Sequence, residues 1–268
     1  RTTSDPMKVK ELQDLGAEIV IGDIKDKSSL KEAFKNAGNV ISTATSTLSK
    51  MKGDSIESVD LTGQLNVIRA AKEADIDKFV FISFPESKEK FPLQDAKRSA
   101  EKALMESGID YTILRPSFFM EIWLGPYLGF DIRNHKATIY GEGVNEISWI
   151  SLKDVAAFAV MSLQKEDCLN KIIELGGPEA LSPLTIVKMA ENESGNTFDL
   201  QYVPEDVIRN QKEKSTDMLE QSFSALMLTL AAGGEINMNE TLQFLPVRLT
   251  SVNDYIHEIV DQKLEHAF

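Results

Sequence analysis

Apolar positions recur along this chain in two rhythms. Ala17 to Ile21, Asn39 to Thr43, Lys78 to Ser83, Tyr111 to Leu114 and Ile172 to Leu175 are short apolar runs bounded by Gly, Asp, Ser or Pro. Runs of this length and composition predict strands buried on both faces, and Phe79-Val80-Phe81-Ile82 predicts the most buried of them. Between them the period lengthens. Met7, Val9, Leu12 and Leu15 follow Asp5-Pro6 and precede Gly16, an Asp N-cap, a Pro at the first helical position and a Gly past the end. Ser28 to Asn36, about Ser55 to Ala74, and Asp95 to Ser107 closed by Gly108 read as further helices.

Strands alternating with helices at this spacing predict β-α-β crossovers and an α/β fold, a doubly wound, mainly parallel Rossmann-type sheet. Beyond residue 120 the rhythm changes. Ala137 to Tyr140 and Glu146 to Ile150, joined across Gly141-Glu142-Gly143, predict a pair of strands outside the crossovers. Ser151-Leu-Lys-Asp154 has capping-box spacing ahead of a helix through about Leu163, and Ser182-Pro183 starts another that runs to about Ser194. The last stretch is mainly helical, with Met218, Leu219, Phe223, Leu226, Met227 and Leu230 on one amphipathic helix. The expected division is residues 1–120 as the nucleotide-binding domain and 121–268 as a smaller, mainly helical substrate-side region. Strand 172–175 is expected to return to the main sheet.

Composition narrows the class. With 268 residues, 42% hydrophobic and 26% charged, the chain can close a core unaided. Cys168 is its one cysteine, which excludes a disulfide framework and points to a reducing, cytoplasmic setting. The longest apolar run, Phe223 to Ala232, is far short of the roughly 18 to 20 residues of a membrane span and reads as an internal helix. A net charge of −13 argues against nucleic acid or anionic membrane as partner, leaving a small molecule. His135, His257 and His266 have no ligand partners at metal-site spacing, so no metal is expected. Cys168, next to Glu166 and Asp167, makes a poor nucleophile.

In such sheets ligands bind at the carboxyl ends of the strands. The residues there are Asp23, Thr43, Ala44, Thr45, Ser83 and Pro116 to Phe119. Asp23 fits either an adenine amino group or a simple turn, and Ser83 either a ribose or substrate oxygen or an ordinary strand end. The Met/Leu stripe from Met218 fits core packing or an apolar pocket wall. By spacing alone, Lys97 is a surface lysine paired with Glu101 one turn on.

Several ordered segments resemble the NmrA-like and isoflavone reductase-like atypical short-chain dehydrogenases. They are Gly22-Asp23, Phe79 to Ser83, Lys97 within Asp95 to Leu104, and Leu114 to Glu121, followed by Ile150 to Ala156 and Ile173 to Pro178. The resemblance spans about residues 1 to 195. It implies NADP as cofactor, with NAD as the alternative. It further implies Asp23 near adenine, Thr43 to Thr45 beside the ribose and phosphates, Ser83, Pro116 and Phe118 around the nicotinamide, and Lys97 as the catalytic lysine. The activity it implies is NADP-dependent reduction of a small apolar carbonyl or quinone-like substrate. The alternative is an NAD(P)-sensing regulatory protein without turnover.

Two departures stand out. Leu93 occupies the place of a Tyr-x-x-x-Lys tyrosine, so no tyrosine acid is available there. The family's first strand, Gly-rich loop, first helix and second strand have no counterpart, and Gly233-Gly234 lacks a preceding strand. The sequence is therefore expected to be a truncated piece of a longer frame, with Arg1 just after the second strand, placed to pair with the cofactor's 2′-phosphate.

Overall fold

The computed structural model describes residues 6–49 and 51–265, with side chains as far as Asp261. Helices α1 (Pro6–Asp14) and α2 (Lys27–Ala33) lead to β1 (Asn39–Ser42), then to a π-helical turn at Ile56–Leu61 that runs directly into α3 (Thr62–Glu73). The units β2 (Lys78–Ile82), α4 (Pro92–Met105) and β3 (Asp110–Pro116) follow. Then come α5 (Met120–Trp123), β4 (Phe130–Asp131), β5 (Lys136–Tyr140), α6 (Leu152–Gln164) and β6 (Lys171–Leu175). The chain ends with α7 (Pro183–Ser194), β7 (Asp199–Val203), α8 (Glu205–Lys214), α9 (Met218–Ala232), α10 (Asn239–Phe244) and α11 (Val252–Glu265).

The main sheet has the order β1-β2-β3-β6 and every pairing in it is parallel. Alternate residues of each strand face opposite layers. Phe79, Phe81 and Ile113 pack with Val67, Ala71, Ala100 and Leu104 of α3 and α4. On the other face, Val80, Leu114 and Ile173 pack with Val155, Phe158 and Ala159 of α6. Both faces of the central strands β2 and β3 are covered, which is why they read as unbroken apolar runs, while the edge strands β1 and β6 leave Ile41 and Ile172 exposed. The fold is the doubly wound, mainly parallel α/β sheet that the sequence predicts. A second core joins Trp123, Ile139, Trp149, Ile186, Leu230 and Ile256 around a smaller sheet of order β4-β5-β7.

Three expectations change. Ala17 to Ile21 forms no strand, and Ile19, Val20 and Ile21 are 38%, 42% and 66% exposed. A strand exists through its neighbours' hydrogen bonds, and no described strand lies beside this one. Glu146 to Ile150 does not form a hairpin with β5, because β4 and β7 already occupy both edges of β5. Ile147 instead makes single bridges to Leu181 and Gly234. Asp154 does not complete a capping box: its carboxylate accepts from the Thr250 amide at 2.7 Å and hydroxyl at 2.9 Å, tying α6 to the approach to α11.

Candidate functional site

A cavity of about 650 Å³ opens at the carboxyl ends of β1, β2 and β3, roofed by α9 and flanked by α6. The β1 loop contributes Thr43, Thr45 and Thr47; the β2 loop contributes Ser83 and Phe84; the β3 end contributes Pro116 and Phe118. Ile122 and Trp123 of α5, and Phe223 and Leu226 of α9, give it an apolar wall. Phe118 meets the Trp123 ring edge-to-face, with centroids 5.0 Å apart. That contact fixes the Phe118 ring without any polar group.

Lys97 also lines the cavity. It is 5% exposed, so the surface-lysine expectation is wrong, and so is the predicted start of its helix. Phe91 is extended and Pro92 opens α4, three residues before Asp95, which moves Lys97 out of the first turn, and Lys97 shares the buried stripe of Leu93, Ala100 and Leu104. Its Nζ lies 3.5 Å from Asp60 Oδ1 and 5.1 Å from the Phe81 ring centroid. Burial pushes the Lys97 ammonium below the ordinary lysine pKa, with Asp60 pulling it back up.

Glu101, the expected partner of Lys97, is engaged elsewhere. Arg115 donates to it from Nη2 at 2.6 Å and from Nε at 3.2 Å, and Arg98 pairs with the same carboxylate. Burial alone would raise the Glu101 carboxyl, but Arg115, Ser83 and Arg98 outweigh it and hold it below its usual range. Arg98 also donates to the Phe84 carbonyl and lies over the Phe84 ring. The triad, buried at Glu101 and partly exposed at both arginines, thus clamps the ends of β2 and β3 together. The buried Ser83 hydroxyl lies at this junction, beside the Glu101 carboxylate.

The remaining predicted residues are distributed unevenly. Ala44 does not line the cavity; its carbonyl accepts from Gln64 Nε2 of α3 at 2.7 Å, which shapes the loop that carries Thr43 and Thr45. Asp23 stands apart from the cavity in a local turn. Its carboxylate accepts from the Lys25 amide at 2.9 Å and faces Lys25 Nζ at 3.5 Å. Arg1 lies outside the described residues. The Met/Leu stripe divides: Phe223 and Leu226 line the cavity, Leu230 is buried in the second core and Met218 is exposed. Gly233-Gly234 does reach the cavity, but it follows the C-terminus of α9, the negative pole of a helix and the wrong end for a phosphate.

Asp60 and Ser46 escaped sequence reasoning. The signal was present, because Asp60 is a charged residue on the same helical face as Ile56, Gln64, Val67 and Ile68, all of them buried. An acid on the buried stripe of a helix needs a partner, and only the fold shows which.

Comparison with known proteins decides the family. The model of the NmrA-like family matches residues 1–256. The chain belongs to the NmrA-like family. The photosystem II assembly factor Ycf39 of Synechocystis sp. is 34% identical over 204 residues, covering 75% of this chain and 62% of that protein. This NmrA-like chain therefore spans less than two thirds of the length of that curated relative. Among solved structures, the NADPH-dependent quinone oxidoreductase of Escherichia coli in complex with NADPH superposes with a TM-score of 0.74 at 22% identity, over 95% of this chain and 88% of that one. The Citrobacter triphenylmethane reductase complexed with NADP(H) also gives 0.74, at 19% identity, over 96% and 88%. At these identities the solved structures establish the shared fold.

Proposed function

We propose that this NmrA-like chain carries the nicotinamide and substrate end of an NADP-dependent reductase acting on a small apolar carbonyl or quinone-like substrate. The observation that carries the reading is a buried lysine ammonium facing an otherwise mostly apolar cavity at the strand ends. The cofactor supplies a hydride when bound. Lys97 holds positive charge where an oxygen becomes anionic, and the cavity's low dielectric strengthens that stabilisation. Phe118, Trp123 and Phe223 exclude water and select a flat apolar substrate.

The residues present fit one half of the cofactor. The Ser83, Thr43 and Thr45 hydroxyls that line the cavity suit a nicotinamide ribose. No described glycine-rich turn followed by a helix N-terminus faces the cavity, so no phosphate cradle is found among the described residues. Asp23 and Arg1 are the residues assigned to the adenosine end, Arg1 to the 2′-phosphate that distinguishes NADP from NAD. A cytoplasmic location agrees with the single buried Cys168.

The similarity to an assembly factor favours a second reading, an NAD(P)-sensing regulatory protein without turnover. Following NADPH absorbance with a panel of quinones and aldehydes separates the two in the whole protein. A reductase consumes the cofactor only when an acceptor is present. A sensor binds NADPH and leaves it reduced with every acceptor.

A further inference from the structure

We propose that Asp60 is the positioning residue of the cavity lysine, holding Lys97 as a cavity-facing ammonium, and that Ser46 makes the Thr43–Thr47 loop part of the same device. This rests on the reading of Lys97 as the group that faces the reacting oxygen.

The division of labour within the Asp60 carboxylate carries the argument. Oδ2 is fully engaged, accepting from the Ser46 amide at 3.0 Å and the Ser46 hydroxyl at 2.6 Å. Oδ1 accepts no hydrogen bond, although Asp60 is completely buried, and it lies 3.5 Å from Lys97 Nζ. If Asp60 served only to anchor the loop, a neutral side chain would satisfy Ser46, and a buried carboxylate would be a costly choice. The free oxygen next to the ammonium gives the charge a purpose.

Among the described residues, Asp60 is the carboxylate that pairs with Lys97. On its own helix, Glu101 accepts its hydrogen bonds from Arg115 and Arg98 and attracts the ammonium less than Asp60 does, while the Arg98 guanidinium repels it. From β2 comes only the Phe81 ring face. A buried lysine with no counter-charge loses its proton near neutrality, and a neutral amine stabilises an oxyanion poorly. At 3.5 Å the ion pair is loose, and the ammonium carries three donors against the one oxygen it faces.

The π-helical turn at Ile56–Leu61 is what delivers Asp60 to this spot. It is capped by the reciprocal Ser55 and Ser58 bonds and widens the helix just ahead of α3. Such wide turns recur at functional sites. Through Ser46, any ligand that shifts the Thr43–Thr47 loop shifts the counter-ion of Lys97, so occupancy of the cofactor side reaches the lysine without direct contact.

The test is a pH titration of the chain with lysine labelled at 13Cε and 15Nζ, read by NMR for the wild type and for Asp60→Asn. The expected result is a Lys97 midpoint lower by about one pH unit or more in the variant, the size of a lost opposite charge at this range. An unchanged midpoint overturns the proposal. If Asp60→Asn does not fold, melting temperatures of Lys97→Met and of Lys97→Met/Asp60→Asn decide. The double variant is expected to melt above Lys97→Met, since it removes the orphaned carboxylate, and an equal or lower melting point overturns the proposal. Neither readout needs turnover. In the whole protein, Asp60→Asn moves the alkaline limb of the NADPH oxidation profile to lower pH. Absence of any NADPH oxidation by the wild type sinks the reductase reading while leaving the NMR result to judge Asp60.

Discussion

Replacing Lys97 with Ala in the whole protein tests the chemistry most directly. The ammonium sits in a cavity walled by aromatic and aliphatic side chains, where a single donor aimed at a developing oxyanion contributes about 3 to 4 kcal/mol. Turnover is expected to fall by about 10²-fold or more, with the loss in kcat because the interaction strengthens only as the hydride arrives. The same substitution removes the counter-charge of Asp60. Breaking a buried ion pair costs about 3 to 5 kcal/mol of stability, so part of any loss comes from unfolding unless the assay runs well below the melting transition. The assay is therefore steady-state NADPH oxidation with a quinone, run beside a thermal melt and a cofactor titration of the same sample. Unchanged turnover with a folded, cofactor-binding variant would refute the catalytic role of Lys97 and favour the sensor reading.

Three other outcomes are expected. Calorimetry of the 268-residue chain with NADPH should give a dissociation constant weaker than about 10 μM, because the described cavity lining offers one cation, Lys97, beside Glu86, Glu174 and Glu235, and tighter binding would refute this. In the whole protein, Arg1→Ala should weaken NADPH far more than NADH; equal losses mean that Arg1 does not read the 2′-phosphate. Glu89 accepts from Lys212 at 2.5 Å and Arg209 at 3.2 Å, clasping α8 to the loop before α4, and the Lys212 bond holds its carboxyl below the ordinary range. A depressed folded-state pKa stabilises above the unfolded value and is lost as pH falls through the folded one. Urea midpoints of wild type and Glu89→Gln should therefore differ modestly at pH 6 and converge in acid, the half-buried surface pair contributing on the order of 1 kcal/mol. Equal midpoints at pH 6 would rule out the clasp.

The sequence by itself determined the main sheet. Phe79-Val80-Phe81-Ile82 and the run in β3 are apolar on both faces because helices cover both faces, and that constraint is written locally in the central strands. The helix ends marked by Pro6, Ser151 and Ser182-Pro183 were legible for the same reason, since a cap acts within a few residues of itself. Ser83, Pro116 and Phe118 could be named as strand-end residues, and the cavity gathers them. The tertiary structure decided whatever depends on distant partners. Ala17 to Ile21 has strand composition but no ladder, and Glu146 to Ile150 lost its edge of β5 to β4 and to β7, the latter contributed from some sixty residues away in sequence. Lys97 looked solvated because Glu101 is its helical neighbour. It lies on the buried stripe of α4 with Leu93, Ala100 and Leu104, and Glu101 is claimed by Arg115 from the next strand. Asp60 acquired its partner only when a π-turn, a strand-end loop and α4 met in one place. Burial and charge pairing are properties of that meeting and of none of the three segments alone.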